Sequence, residues 1–165
     1  MIPVNKFKNI HKGAPVAVCG GGPSLPDDLK RIPENSILIA VNNHALKIAD
    51  CRYMVVMDKY SKRNIDFIKD VERFEGFNIS QIPGQSDIDL TGVDYWDGGI
   101  TATLAVWFAC YTGANPVLLC GFDCYQGDRL YFHDEPISNT TNIVKDYPLE
   151  NHLRPWREAP DSSST

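Results

Sequence analysis

The chain has 165 residues, of which 43% are hydrophobic and 22% are charged, and its formal net charge at pH 7 is −5. This length fits one domain, and the composition is that of an ordinary globular protein rather than of a disordered chain or a fibre. The acidic balance argues against a nucleic-acid surface or an anionic membrane as partner, because affinity for phosphate backbones comes mainly from clustered Lys and Arg.

The first strong pattern along the chain is a short apolar run, residues 15–19, which ends in three glycines. Such a run is typical of a strand that is buried on both faces. Residues 24–29 then predict a helix, in which Ser24 accepts from the amide three residues on and Pro26 occupies the first turn. Residues 15–29 are therefore predicted to form a strand, a glycine loop and a helix in succession.

The same alternation continues through the middle of the chain. Residues 36–41 and 53–57 predict two more apolar strands, and residues 59–73 carry apolar side chains at the spacing of an amphipathic helix. The polar residues that follow the two strands are Asn42, Asn43 and Asp58.

The second half of the chain is less regular at first. Residues 77–79 predict a short strand, and residues 80–97 predict a long surface loop, which in a compact domain is usually functional or disordered. Residues 100–111 then predict a buried helix, residues 117–120 a strand, and residues 149–158 a last helix.

An uncharged stretch of 25 residues, 98–122, is long enough to span a bilayer. The segment 112–116, which reads Thr-Gly-Ala-Asn-Pro, breaks it. We therefore expect a buried helix and a central strand, and no membrane span.

Strands that alternate with helices predict an α/β protein with a doubly wound, mostly parallel sheet. In such sheets, ligands bind beyond the carboxyl ends of the strands. A glycine loop before a helix start favours a phosphate, although a tight structural turn is the open alternative, and Asn or Asp there also serve as turn formers or caps. The candidate nucleotide-binding residues are Gly20, Gly21, Gly22, Pro23, Ser24, Asn42, Asn43, Asp58, Gly121 and Asp123.

The five cysteines are an odd number, and none forms a Cys-x-x-Cys pair, so neither a disulfide framework nor a zinc site is predicted. Residues 1–12 lack the continuous apolar core of a signal peptide. We expect reduced thiols and a cytoplasmic protein.

Three motifs together carry a resemblance to a known family. They are Gly-Gly-Pro-Ser-Leu at 21–25, Asn42 after the second strand, and Leu-Cys-Gly-Phe-Asp-x-Tyr-Gln at 119–126 with Tyr131 downstream. Over residues 16–132 the chain resembles the bacterial sialyltransferases that act on lipooligosaccharide. More loosely, it resembles the wider Rossmann-like group that contains flagellin-modifying glycosyltransferases and hydroxymethylpterin diphosphokinases.

The resemblance implies a Rossmann-like, nucleotide-binding fold and transfer of a sialic-acid-type sugar from a CMP-linked donor to a hydroxyl acceptor such as a glycan. It implies that the loop 20–24 and Asn42 hold the nucleotide. The hydroxyls of Tyr125 and Tyr131 would bond the departing phosphate, so no metal cofactor is required, which agrees with the single phosphate of CMP.

A histidine base on the acceptor is also implied by the resemblance. His152 fits that place best, and His133 is the other option. On this basis we expect a nucleotide-binding domain over residues 1–135 and a short lid and tail over residues 136–165.

Two alternatives stay open. Asp58 stands where the family pattern has Asn, and a carboxylate beside phosphate favours a cation, so a Mg²⁺-dependent diphosphokinase with Asp58 and Asp123 as ligands is the first. The short C-terminal segment favours the second, a non-catalytic nucleotide-binding accessory protein of phage type. Two of the three tryptophans, Trp96 and Trp156, fall in irregular regions and mark a candidate surface for a homo-oligomer.

Overall fold

The computed structural model describes residues 1–59, 65–82, 84–124, 130–134 and 149–158. Within these residues, seven strands form one sheet. The strands are β1 (Ile2–Pro3), β2 (Val16–Cys19), β3 (Ile37–Val41), β4 (Tyr53–Val55), β5 (Phe77–Ile79), β6 (Ile88–Asp89) and β7 (Val117–Cys120). Their order is β1-β6-β5-β4-β3-β2-β7, and all six pairings are parallel. The predicted α/β fold with a parallel sheet is confirmed.

Four helices accompany the sheet in the described residues. They are α1 (Leu25–Asp28), α2 (Ile65–Arg73), α3 (Thr101–Tyr111) and α4 (Leu149–Arg157). Short 3-10 turns cover Val4–Phe7 and Ala45–Lys47. No helix of the described residues is long and apolar enough to cross a membrane.

The core has two layers because successive side chains of a strand point to opposite faces of the sheet. On one face, Val16, Ile39 and Tyr53 belong to the cluster that includes Leu104 and Phe108 of α3. On the other face, Ala17, Cys19, Ala40 and Met54 belong to the cluster that includes Leu25 of α1 and Phe67 of α2. The central strand β2 is buried on both faces, as its continuous apolar run predicts.

Tyr53 joins the sheet to the amino-terminal segment. Its side chain is fully buried against Phe7, Phe77 and Phe108. Its hydroxyl lies 2.8 Å from His11 Nε2, so that the one polar atom of the ring has a partner. Burial raises the pKa of Tyr53 and lowers the pKa of His11, with the nearby Arg52 charge adding to the second effect.

Two short strands at one side of the sheet were not predicted from the sequence. The segment 80–97, predicted as a loop, contains β6, which pairs with β5 through Ile79 and Ile88. Ile2 of β1 then pairs with Ile88 on the outer side of β6. Two-residue strands carry no periodicity of their own, and the pairing of β1 joins residues that are far apart in the chain.

The direction in which the chain adds strands to the sheet changes at β2. From β2 the chain adds β3, β4, β5 and β6 on one side, whereas β7 returns to the other side of β2. The order therefore diverges at β2, whose neighbours β3 and β7 come from opposite halves of the chain. The carboxyl ends of the strands at such a switch point are the usual ligand position in this architecture.

Candidate functional site

A cleft lies at this point of divergence, above the carboxyl ends of β2, β3 and β7. Its volume is about 130 Å³. This is smaller than the roughly 300–1,000 Å³ of sites that enclose a whole drug-sized ligand. Its described lining comprises Gly20, Gly21, Gly22, Val41, Asn42, His44, Ile100, Ala102, Gly121, Phe122, Asp123, Cys124, Leu130, Tyr131 and Trp156.

The glycine loop and the start of the β7 loop are packed directly against each other. The Gly20 amide donates to Cys120 O at 2.8 Å, and the Gly22 amide donates to Gly121 O at 2.9 Å. A Cβ on Gly20 would lie 2.5 Å from Gly121 O. These glycines therefore have a structural reason to be present that is independent of any ligand, and two of the loop's amides already have protein acceptors.

The start of α1 is capped by a carboxylate from the β7 loop. Asp123 Oδ2 accepts from the Ser24 amide at 3.1 Å. Ser24 Oγ lies 3.0 Å from the same oxygen and 2.8 Å from Asp28 Oδ2, so the hydroxyl donates to a carboxylate. The predicted capping bond, in which the Ser24 side chain accepts from a helix amide, is wrong, since no such bond forms. A phosphate at this helix start would have to displace Asp123.

A second helix start faces the cleft. Ile100 and Ala102, at the beginning of α3, line it. α3 has 11 residues, and no described side chain caps its first turn. Gly98 and Gly99, which precede it, both have positive φ values, 53° and 77°. Asp97 Oδ1 accepts from the Gly99 amide at 2.8 Å, so a carboxylate already lies beside the positive end of the α3 dipole.

Of the polar residues that follow β3 and β4, only some lie at the cleft. Asn42 lines the cleft and has a φ of 58°, a left-handed conformation that Asn tolerates better than most residues. The Asn43 side chain instead donates to Asp70 Oδ2 of α2 at 2.6 Å. Neither Asn43 nor Asp58 is among the residues that line the cleft, and Pro23 is not either.

Tyr131 lies in the cleft and belongs to an aromatic cluster that the sequence did not predict. Its ring stacks on His44, with 3.9 Å between centroids and 19° between planes. His44 Nδ1 lies 3.0 Å from His133 Nε2, and the two imidazole planes are also 19° apart. His44 follows β3, whereas Tyr131 and His133 follow β7. The cluster therefore joins two sides of the cleft.

Asp134 contacts both His133 and the backbone of Tyr131 on the side of the cluster away from His44. Its Oδ1 lies 3.3 Å from His133 Nδ1, and its Oδ2 accepts from the Tyr131 amide at 3.1 Å. A carboxylate favours a proton on His133 Nδ1, which leaves His133 Nε2 as an acceptor for a proton on His44 Nδ1. In this assignment His44 donates to His133, and the Asp134 carboxylate lies beside the other ring nitrogen of His133.

α4 covers one side of the cleft. Trp156 lines it, and the Trp156 ring meets the Phe122 ring edge-on, with 6.0 Å between centroids. His152, the predicted base, lies in α4, but its side chain falls outside what the structure describes. Tyr125 lies outside the described residues, as does most of the predicted lid, 136–165.

A pair of thiols lies directly below the cleft. Cys19 of β2 and Cys120 of β7 are partners in the parallel register, and both are buried. A hydrogen bond between the two thiols lowers the pKa of Cys120 and raises the pKa of Cys19, and burial raises the pKa of Cys19 further. All five cysteines are free.

The magnesium alternative finds no prepared ligand set in the described part of the chain. Asp123 lines the cleft and Asp58 does not. The described residues contain no group of three or more His, Cys, Asp or Glu side chains that could hold a metal ion. The pair proposed for Mg²⁺ from the sequence is therefore not assembled at the cleft.

The fold and the site together define a parallel α/β protein with a small cleft at its topological switch point. No protein-family model, curated protein or solved structure matches the chain.

Proposed function

We propose that the protein binds a CMP-linked sugar in this cleft and transfers the sugar, of sialic-acid type, to a hydroxyl acceptor. One observation carries the proposal: four segments that the resemblance singles out, from three distant parts of the chain, line the same cleft. They are the glycine loop 20–22, Asn42, the Gly121 to Asp123 turn and Tyr131. The start of α3 adds a positive dipole end to the same space.

The size of the cavity fits part of such a donor. At about 130 Å³ it has room for a phosphate group and its immediate surroundings, and not for a whole nucleotide sugar. We place the phosphate in the cavity, near Tyr131 and the α3 start. The nucleoside and the sugar extend from it along the open mouth.

In the proposed reaction, the acceptor hydroxyl oxygen attacks the anomeric carbon of the donor sugar from the side opposite CMP. The bond between that carbon and the phosphate oxygen breaks, and its electron pair stays on the phosphate, so the product is inverted. The hydroxyl proton passes to a histidine base, for which His152 is the sequence prediction. Tyr125 and Tyr131 donate to the phosphate as its charge develops.

Calorimetric titration with CMP, CDP, ATP and GTP, each with and without Mg²⁺, tests the proposal. Binding of CMP without Mg²⁺ supports it. Binding of ATP only with Mg²⁺ overturns it in favour of the diphosphokinase alternative, and failure of every nucleotide to bind overturns both. CMP binding without any transfer or hydrolysis of a CMP-sugar favours the non-catalytic alternative.

Variants of the two tyrosines test the leaving-group role. Loss of one donor to a developing charge slows turnover by about 10²–10³-fold, so Tyr131→Phe should lower kcat by that order. The matched control is Tyr111→Phe, because Tyr111 lies on α3 and stacks on Trp107, away from the cleft. If the Tyr125→Phe, Tyr131→Phe double variant turned over like the wild type, the assigned role would be wrong.

A further inference from the structure

The charge of the cleft is unusual for a phosphate site. Its described lining contains neither Lys nor Arg, and Asp123 is its single acidic residue. A phosphate monoester carries about −1.5 to −2 charges at pH 7, so a cation in contact with it would strengthen binding. His44 is the one residue of this described lining that can become positive near neutral pH.

His44 is held in a defined position beside Tyr131. A Cβ on Gly21 would lie 2.8 Å from both His44 Cγ and Tyr131 Cδ1, so the loop backbone closely abuts the two stacked rings. The Gly21 carbonyl also accepts from the Phe132 amide at 3.0 Å, which ties the glycine loop to the segment that carries Tyr131. The imidazole therefore sits at the point where the loop, β3 and the β7 connection meet.

An acceptor and a carboxylate lie behind His44. In the assigned tautomers, His133 Nε2 accepts a hydrogen bond from His44 Nδ1 at 3.0 Å, and Asp134 Oδ1, 3.3 Å from His133 Nδ1, keeps the proton of His133 on that nitrogen. The negative charge of Asp134 thus acts through His133 on His44, in the way that a carboxylate behind a metal-bound histidine increases its basicity.

We propose that protonated His44 is the phosphate-binding cation of this cleft and that His133 and Asp134 are its positioning residues, so that ligand binding takes up a proton. For the identity of the nucleotide, this inference rests on the proposed function. For the phosphate chemistry, it rests on the cleft alone.

Other charged groups also bear on His44. From the β7 connection these are Asp123, which accepts from the Ser24 amide, and Asp134; Tyr131 and His133 on the same connection contact His44 directly. On its own 3-10 turn, Lys47 lies 3.8 Å from Asp70 of α2. The structure describes no Lys or Arg in the cleft itself that would compete with His44 for the phosphate.

The pH dependence has a defined sign. An anion stabilises the protonated imidazole, so affinity is highest at low pH and falls as the free histidine loses its proton. For one group that titrates near pH ~6.5 and binds only when protonated, the affinity falls about 25-fold between pH 6 and pH 8.

Calorimetry with sulfate and with CMP at pH 6, 7 and 8, in two buffers of different ionisation enthalpy, measures both the affinity and the protons taken up. Sulfate is the decisive probe because its own charge is constant over this range, whereas the phosphate of CMP titrates near pH ~6. We expect the affinity for sulfate to fall between pH 6 and pH 8, by up to about 25-fold and by less the more Asp134 increases the basicity of His44, with close to one proton taken up per sulfate at pH 8.

Two variants of His44 keep the test clear even if one of them folds poorly. His44→Asn should lose the proton uptake and most of the affinity at pH 6. His44→Lys carries a fixed charge, and should bind sulfate with little dependence on pH below pH ~9. His11→Asn is the histidine control, because His11 bonds Tyr53 away from the cleft and its loss should leave sulfate binding unchanged.

The positioning role has its own readout. His133→Phe removes the acceptor for His44 Nδ1. The pH at which sulfate affinity falls to half of its low-pH value should therefore move about one pH unit lower, while the affinity at pH 5 stays within about threefold of the wild-type value. His133→Gln retains a carbonyl acceptor, so its pH midpoint should return most of the way to the wild-type value. If both variants kept the wild-type midpoint, His133 would not position His44.

The outcomes separate this inference from the proposed function. CMP binding that is independent of pH, with the same proton uptake in His44→Asn, overturns the inference and leaves the proposed function standing. Proton-linked sulfate binding without CMP binding supports the inference and overturns the CMP-sugar proposal. Failure of both probes to bind at every pH overturns both.

Discussion

Replacing Gly20 by alanine tests whether the glycine loop is required for packing. The added Cβ would lie 2.5 Å from Gly121 O and 3.2 Å from Gly121 C, both of which are backbone atoms. Gly20 is not among the residues with a positive φ, so alanine can adopt its conformation and the cost is steric. The two strand ends cannot separate without losing the hydrogen bond from the Gly20 amide to Cys120 O.

The size of the effect follows from these contacts. Overpacking against atoms that cannot move aside costs about 1–3 kcal/mol. Alanine also restricts the unfolded chain, which offsets about 0.4–1 kcal/mol of that cost. We therefore expect Gly20→Ala to lose about 1–2 kcal/mol of unfolding free energy. For a protein of this length, this corresponds to a Tm about 2–8 °C lower.

Urea and thermal unfolding of Gly20→Ala measure this loss, and the urea m-value should stay unchanged because the same surface is exposed on unfolding. The control is Gly84→Ala, where φ is 81° and no atom lies within 4 Å of the added Cβ. Its cost arises only from the left-handed backbone, about 1–2 kcal/mol. If Gly20→Ala unfolded at the wild-type urea midpoint, the close approach of the β2 and β7 loops would be refuted.

Three further variants probe the core, the α1 start and the response to pH. Phe108→Ala removes a fully buried ring and should cost about 3–5 kcal/mol in urea unfolding, whereas Phe108→Leu should cost clearly less. Asp123→Ala removes the acceptor of the Ser24 amide and should cost about 0.5–2 kcal/mol, with no loss contradicting its capping role. Burial lowers the pKa of His11, so the folded protein binds fewer protons than the unfolded chain below pH 6.5, and stability should fall as the pH falls from 6.5 through the folded pKa. Urea midpoints at pH 7.5 and pH 5 measure this fall, which should be smaller in His11→Asn.

The sheet was predicted where its signals are local. The apolar runs of β2, β3, β4 and β7 end in glycine or polar residues, and β2 and β4 are buried along their whole length, as such runs predict. The prediction of a central strand at 117–120 is wrong, because β7 lies at the edge of the described sheet and Leu119 is 49% exposed. The short strands β1 and β6 have two residues each, and Ile2 pairs with Ile88 from the opposite half of the chain. No window of sequence contains that pairing, so the amino-terminal segment could not be placed in the sheet.

The same distinction between local signals and distant contacts applies to the residues of the candidate site. Parallel strands bring their carboxyl ends to one edge, so the glycine loop, Asn42 and Asp123 were expected together once the alternation of strands and helices was recognised. His44 had no local signal: it matters because its ring meets Tyr131 and its Nδ1 meets His133, 89 residues further on. In a chain with net charge −5 and a described cleft lining without Lys or Arg, the cation that we propose for phosphate is brought to the cleft by a contact between distant residues. The fold forms that contact, and it leaves no local pattern in the sequence around His44.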